Sequence, residues 1–312
     1  MKLKNFLILG TLLILSACSA NDDEDAHNYE VEEVLEVEGS VMDFFATAPN
    51  RTFVVESTPE MPFHISQETF NMVHIEGENL IQQKISSMGI SSTIIVLYEE
   101  GVLRQTYSNF TLSPFIDLRD SDANAGIAIL VEPLELGTGW QTPDGTASEI
   151  TAIGREVITP YGTFTDTLEI TRTFPEGIVV TSVFARGYGV VWESFPTTIG
   201  EEDIYVVRHL TNVIDGPLTE TLEVFDNDFN VIETVQLSIN TNENFEALFS
   251  NALGIIVNDI TIDRETEILQ VDLGEETDNL LGVLATFINF YEIDTQISIN
   301  GTIIELDIFD ED

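Results

Sequence analysis

Short runs of β-branched and aromatic residues, each closed by a glycine- or proline-bearing turn, constrain this chain more than any other feature. Phe53-Val54-Val55, Ser92 to Tyr98, Val102 to Tyr107, Gly126 to Leu130, Glu149 to Val157, Phe164 to Thr173 and Ile178 to Phe184 are such runs. Between them stand Glu100-Gly101, Pro143-Asp144-Gly145, Pro160-Tyr161-Gly162 and Pro175-Glu176-Gly177. Strands that recur every ~8–12 residues with turn signals between them predict an antiparallel all-β sandwich or open barrel. That body is expected over residues 41–197. Aromatic residues at alternate strand positions are read as its core.

The pattern changes period toward the C-terminus. GEED and DGP interrupt the β runs near Pro196 to Pro217, so residues 198–216 are expected to form a linker. Thr221 to Phe225 reads as a strand. Asn244 to Leu253 then sets Phe245, Leu248, Phe249 and Ala252 at helical spacing. Strands are expected at Ile256 to Ile262 and Glu267 to Leu273. A second helix spans Asp278 to Tyr291, with Thr277 as its N-cap and Leu280, Leu281, Leu284, Phe287, Ile288 and Tyr291 on one face. Asn300-Gly301, between Gln296 to Ile299 and Thr302 to Leu306, is a type I′ hairpin signal. The α-β-β-α-β order over residues 217–308 predicts a two-layer α+β sandwich. Residues 309–312 are an acidic tail.

The N-terminus is a processing signal. Lys2 and Lys4 precede the apolar run Phe6 to Leu15, which is shorter than the ~20 residues a membrane-spanning helix needs. Residues 1–17 therefore read as a signal peptide. Leu15-Ser16-Ala17-Cys18 resembles the lipobox of bacterial lipoproteins, and the resemblance implies diacylglycerol on Cys18 with cleavage before it. The chain has one cysteine, so no intrachain disulfide can form. Two or three acyl chains give lasting attachment where a single one would be marginal. Residues 18–40 are rich in acid and read as a tether; a surface-export signal is the other reading of that run.

The whole chain carries 11 basic and 55 acidic residues, a formal net charge of −44. Removing the leader takes Lys2 and Lys4 and leaves nine basic residues. A charge of this sign excludes nucleic acid as a partner and excludes polybasic recognition of anionic lipid. The acid is spread along the chain, which fits a salty or alkaline exterior in which cations screen self-repulsion.

Two further resemblances concern the folded parts. Glu132-Pro133-Leu134-Glu135-Leu136-Gly137-Thr138-Gly139-Trp140, Thr159-Pro160-Tyr161-Gly162-Thr163-Phe164 and Ala185-Arg186-Gly187-Tyr188-Gly189-Val190-Val191 resemble a series found in an extracytoplasmic β domain of bacterial lipoproteins. The series is structural: Pro160 and Gly162 make a turn, Gly187 and Gly189 allow positive φ or close backbone approach, and Trp140 plugs one end of the sheet. Val257 to Ile262, Leu269 to Leu273, Leu284 to Tyr291 and Ile297 to Gly301 are similar to the GerMN domain, although Glu267 falls in the usual turn-glycine region and Gly274 stands where a serine or acid is common. That likeness implies a compact unit like ring-building motifs, which join copies edge to edge in envelope assemblies. The combination of both domains behind a lipobox favours a single-membrane, Gram-positive setting; in a Gram-negative cell the protein would be an outer-membrane or surface lipoprotein.

Reactive chemistry has little support. His27, His64, His74 and His209 show no metal-ligand spacing. No G-x-S-x-G, P-loop or G-x-G-x-x-G is present. Asp120-Ser121-Asp122-Ala123-Asn124 and Asp226-Asn227-Asp228-Phe229-Asn230 begin like calcium loops. Ala125 and Val131, and Val231 and Leu237, occupy the positions that demand glycine and a bidentate acid. Asp120, Asp122 and Asn124 remain weak calcium candidates against an ordinary polar turn. Paired carboxylates for glycoside hydrolysis cannot be singled out among 55 acids. The expectation is a membrane-anchored envelope protein with a structural or protein-interaction role, partnered by an envelope protein or its own copies, with no catalytic residue and no cofactor beyond the lipid. The alternatives are a lipoprotein that binds a small ligand or cation and, last, a carbohydrate-active enzyme.

Overall fold

The computed structural model describes residues 37–305 apart from 60–63, 88–89, 110–114, 117, 119–122, 200–201, 263–267, 275–276, 292 and 294–295. The lipobox, most of the tether and the acidic tail lie outside the described residues.

Most of the body is one antiparallel meander. Its strands are β1 (Arg51–Ser57), β2 (Ser66–Ile75), β3 (Leu80–Ser87), β4 (Ile90–Glu99), β5 (Val102–Asn109) and β6 (Ile127–Val131) on one arc. The other arc is β7 (Gly139–Gln141), β8 (Ala147–Ile153), β11 (Thr167–Thr173), β12 (Val179–Ala185), β13 (Gly189–Ile199) and β14 (Glu202–Asp215). The small hairpin β9 (Val157–Ile158) and β10 (Thr163–Phe164) branches off between β8 and β11. Each of the twelve main strands pairs with its neighbour, and β1 pairs with β14 from Arg51↔Asp215 to Ser57↔Arg208. The sheet is thus a nearly closed barrel with one seam, between β6 and β7. Trp140 crosses that seam: its indole N–H donates to the Ala128 carbonyl at 3.1 Å. Closure removes most of the exposed edge that an open sheet of this size would present.

The turn signals fall where the chain reverses. Glu100-Gly101 joins Glu99 to Val102 with φ of +50° and +80°, as a two-residue I′ hairpin requires. Gly189 has φ +71°, and a Cβ there would meet Ala46 at 3.1 Å, so the close approach expected at this glycine is to the segment that enters the barrel.

Inside, Val41 and Phe44 of a short 3-10 turn (Val41–Phe44) pack with Ile81, Leu103 and Leu130 from one arc and Ile150, Leu168 and Phe184 from the other. Buried polar side chains hold the plug. Gln83 Nε2 donates to Asn71 Oδ1 at 2.8 Å, and Asn71 Nδ2 donates to the carbonyls of Ala46 and Ala48 at 2.8 and 3.1 Å. Upstream, Val37 N–H donates to Leu134 O at 3.0 Å, and Ser40 Oγ donates to Glu132 at 3.0 Å. The last residues of the expected tether therefore dock on the barrel.

The segment 198–216, expected as a linker, is mostly β14, which carries the closing pairs to β1. Strands β7 and β13 were not expected either, nor were β2 and β3. Polar residues hide the alternation of β2 and β3, because Asn71, Gln82, Gln83 and Lys84 are buried with partners.

After β14 come the hairpin β15 (Leu218–Phe225) and β16 (Val231–Ile239), helix α1 (Phe245–Leu253), β17 (Val257–Ile262), β18 (Leu269–Leu273), helix α2 (Leu280–Tyr291), β19 (Gln296–Ile299) and β20 (Thr302–Glu305). Strands β17 to β20 form a four-stranded sheet in which β18 and β19 are parallel. Asn244 caps α1 through Ala247 N–H at 2.6 Å, and Gly254 ends it in the left-handed region. Helix α2 is capped from outside: Asn227 Oδ1 accepts from Leu281 N–H at 3.0 Å. Thr277, expected as the N-cap, instead accepts from Asn279 N–H at 3.2 Å.

These elements are not separated from the barrel. Phe70, Met72 and Ile95 on its outer surface share one apolar core with Leu222, Phe249, Phe287 and Tyr291. Phe115, Ile116 and Leu118 are wedged between. Gln82 grips them from β3, donating to Ile116 O at 2.6 Å and accepting from Leu118 N–H at 2.8 Å. Tyr291 grips them from α2, its hydroxyl donating to Phe115 O at 2.8 Å. Burial holds that phenol well above its ordinary pKa.

Candidate functional site

The residues singled out from sequence do not assemble into a reactive centre. Leu15, Ser16, Ala17 and Cys18 lie outside the described residues, as do Asp120 and Asp122. Asn124 is described, and its amide closes on Ser108: Oδ1 accepts from Ser108 N–H and Nδ2 donates to Ser108 O, each at 2.8 Å. Asp226 accepts from the N–H groups of Asp228 and Asn230, both at 2.9 Å, and the Asn230 N–H foremost holds its carboxyl below the usual range. The second calcium-like run is a self-satisfied turn whose Asn227 serves α2. Among the described residues no three acidic, histidine or cysteine side chains converge as a metal site. His64 Nε2 lies 3.3 Å from Glu56 Oε1, and the backbone of His74 is clasped by Asn242.

The most unusual chemistry lies inside the barrel, beyond one end of its apolar layer. On β11, Leu168 and Ile170 are fully buried in the inner core, and strand alternation puts Arg172 on their face. Arg172 stands opposite Ser148 on β8 and Val180 on β12. Ser182, two residues past Val180, stands opposite Glu193 on β13, which stands opposite Arg208 on β14. Residues directly opposite each other in a ladder share a face, so these side chains make a polar layer across five neighbouring strands.

Their bonds run along the layer. Arg172 Nη1 donates to Ser182 Oγ at 3.4 Å, and Ser182 Oγ donates to Glu193 Oε1 at 3.0 Å. Arg208 forms an ion pair with Glu193 through Nη2 and donates from Nη1 to Gln67 Oε1 at 3.0 Å. Arg172 lies 5.9 Å from the Phe184 ring and Arg208 5.2 Å from that of Phe195. Burial pushes the Glu193 carboxyl up, but the charges of Arg208 and Arg172 and the Ser182 hydroxyl outweigh it and hold the group below its ordinary value. Burial pulls the Arg172 guanidinium down, against the attraction of Glu193. Charges placed here are retained only when paired and hydrogen-bonded.

The balance is uneven. Glu193 pairs with Arg208, and Arg172 makes no ion pair among the described residues. Ser148 is 4% exposed, and its hydroxyl has no partner among the described residues. The sequence carried a signal for this layer that went unread: Leu168, Ile170 and Arg172 alternate, so one of only nine basic residues past the leader continues an apolar strand face.

No helix among the described residues is long and apolar enough to cross a membrane. No protein-family model matches the chain. A search of curated proteins gives no match. Among solved structures, a Bacteroides fragilis protein described as an exported-protein candidate with a YmcC-like fold aligns at a TM-score of 0.35 and 11% identity, over 55% of this chain and 99% of that one.

Proposed function

We propose that the chain is an exported bacterial lipoprotein, held by diacylglycerol on Cys18 at the extracytoplasmic face of a membrane, and that its body acts by binding rather than by turnover. In this reading Leu15, Ser16 and Ala17 present the cleavage site, and the acidic residues that follow Cys18 set the barrel away from the lipid surface. The C-terminal part serves as a two-layer α+β unit of the GerMN, ring-building kind, which docks on an envelope protein or a second copy.

One observation carries the interaction role. In a chain of net charge −44, the β15–β16 hairpin and the start of α2 expose Phe229, Val231, Ile232, Leu280 and Leu281, with Ile232 60% exposed. Asn227 ties turn to helix through Leu281 N–H, which makes them one surface. Scattered exposed apolar side chains need no explanation, whereas grouped ones mark contact sites.

The test is crosslinking in intact cells with a Phe229→Asp, Ile232→Asp double variant and, separately, Cys18→Ser. The double variant is expected to lose its crosslinked species and stay in the membrane fraction, and Cys18→Ser to leave that fraction. Crosslinks that survive the double variant unchanged would refute the docking role.

A further inference from the structure

We propose that the polar layer inside the barrel binds a monoanionic carboxylate, gripped by Arg172 and Ser148. The inference is independent of the anchor and of the C-terminal surface.

Arg172 is a half-buried guanidinium that makes one long hydrogen bond, to Ser182 at 3.4 Å, which leaves donors of its planar fork uncommitted. Ser148 stands directly opposite Arg172, and its buried hydroxyl is unpartnered among the described residues. Glu193 is engaged by Arg208 and Ser182, so the layer keeps one positive charge in a strongly acidic molecule. A half-buried cation whose nearest carboxylate, Glu193, is already paired with Arg208 is costly, and an arriving anion would reduce that cost. The lowered pKa of Arg172 through burial agrees with a guanidinium short of compensation.

The same geometry selects the anion. A guanidinium presents two parallel N–H groups that match a carboxylate, and Ser148 adds one hydroxyl donor. Glu193 lies near enough to act on Arg172 electrostatically and would repel a second negative charge, which disfavours phosphate. Trp140 stands opposite Ser148 on β7, and Phe184 lies against Arg172. Phe184 is buried in the apolar core, so the half-buried Trp140 is the apolar surface for the body of an acid larger than acetate.

Calorimetric titration of the full mature chain carrying Cys18→Ser, with acetate, octanoate and inorganic phosphate in turn, tests this. Saturable binding of a carboxylate is expected, with phosphate at least about tenfold weaker, a gap of ~1.4 kcal/mol. Octanoate binding more tightly than acetate would assign the site to an acyl acid; equal affinity would assign it to the carboxylate alone. Arg172→Gln and, as a milder change, Ser148→Ala are each expected to weaken binding, the first by about tenfold or more. Circular dichroism of both variants establishes that they fold. No binding of any carboxylate up to roughly 50 mM, beyond the millimolar range of weak specific sites, would overturn the proposal. So would undiminished binding to folded Arg172→Gln, or phosphate binding as tightly as the carboxylates.

Discussion

Replacing Gln82 by Met should destabilise the barrel and the C-terminal helices together. Gln82 is 0% exposed and satisfies two backbone groups of the wedge, Ile116 O at 2.6 Å and Leu118 N–H at 2.8 Å. Met keeps the length of the side chain and supplies neither bond. Each buried backbone group left unpaired costs about 1–3 kcal/mol, so the two together cost roughly 2–6. The apolar thioether recovers part of this, which brings the expected loss to about 2–4 kcal/mol. That is a large share of the ~5–15 kcal/mol typical of a folded domain. Urea is the suitable denaturant, since guanidinium chloride would also screen the acidic charge. Trp140 and Trp192 report on the barrel by fluorescence. Ellipticity at ~222 nm follows helix content, here α1 and α2. Because Phe70, Met72 and Ile95 share a core with Phe249 and Phe287, both probes should move to the same lower midpoint with an unchanged slope. A loss below about 0.5 kcal/mol, the range of a surface change, would refute the clamp. Two separated transitions, with the helical one unmoved, would refute the shared core.

Three other outcomes follow from single contacts. Asn227→Ala removes the acceptor for the first turn of α2 and should cost about 1 kcal/mol, read as a lower urea midpoint at the helical wavelength. Trp140→Phe keeps the ring and loses the seam bond to Ala128, so amide exchange in β6 and β7 should speed up roughly fivefold for ~1 kcal/mol, with little change in β1 and β14. The pKa of Glu193 is depressed in the folded protein, so the stability it contributes is present above its unfolded value and is lost as pH falls through the folded one. The stability difference between wild type and Glu193→Gln should therefore shrink on acidification from neutral pH to below the usual carboxylate range; a constant difference in parallel urea titrations would contradict the assignment.

What residue order settled alone is local. Asn300-Gly301 takes φ of +50° and +74° because a two-residue hairpin between alternating apolar residues demands it. Asn244 and Gly254 bound α1 for equally local reasons. Strands β1, β4, β5 and β6 of the first arc and β8, β11 and β12 of the second were legible because their side chains repeat with the period of the element; so was the face of α2 from Leu284 to Tyr291, whereas Leu280 and Leu281, expected on the same face, are exposed.

Tertiary structure decided everything that depends on a distant partner. Whether β1 meets β14 is not written in either strand, and with that pairing an expected linker becomes the closing stave. Gln82, Gln83 and Asn71 read as surface residues until the carbonyls they bind arrive from Ala46, Ala48 and Ile116. Arg172 is the same case, brought to Ser182 and Glu193 only by the pairing of β11, β12 and β13. A polar group enters an interior only where another group meets it, and the sequence around that group does not say which one, or from how far along the chain it will come.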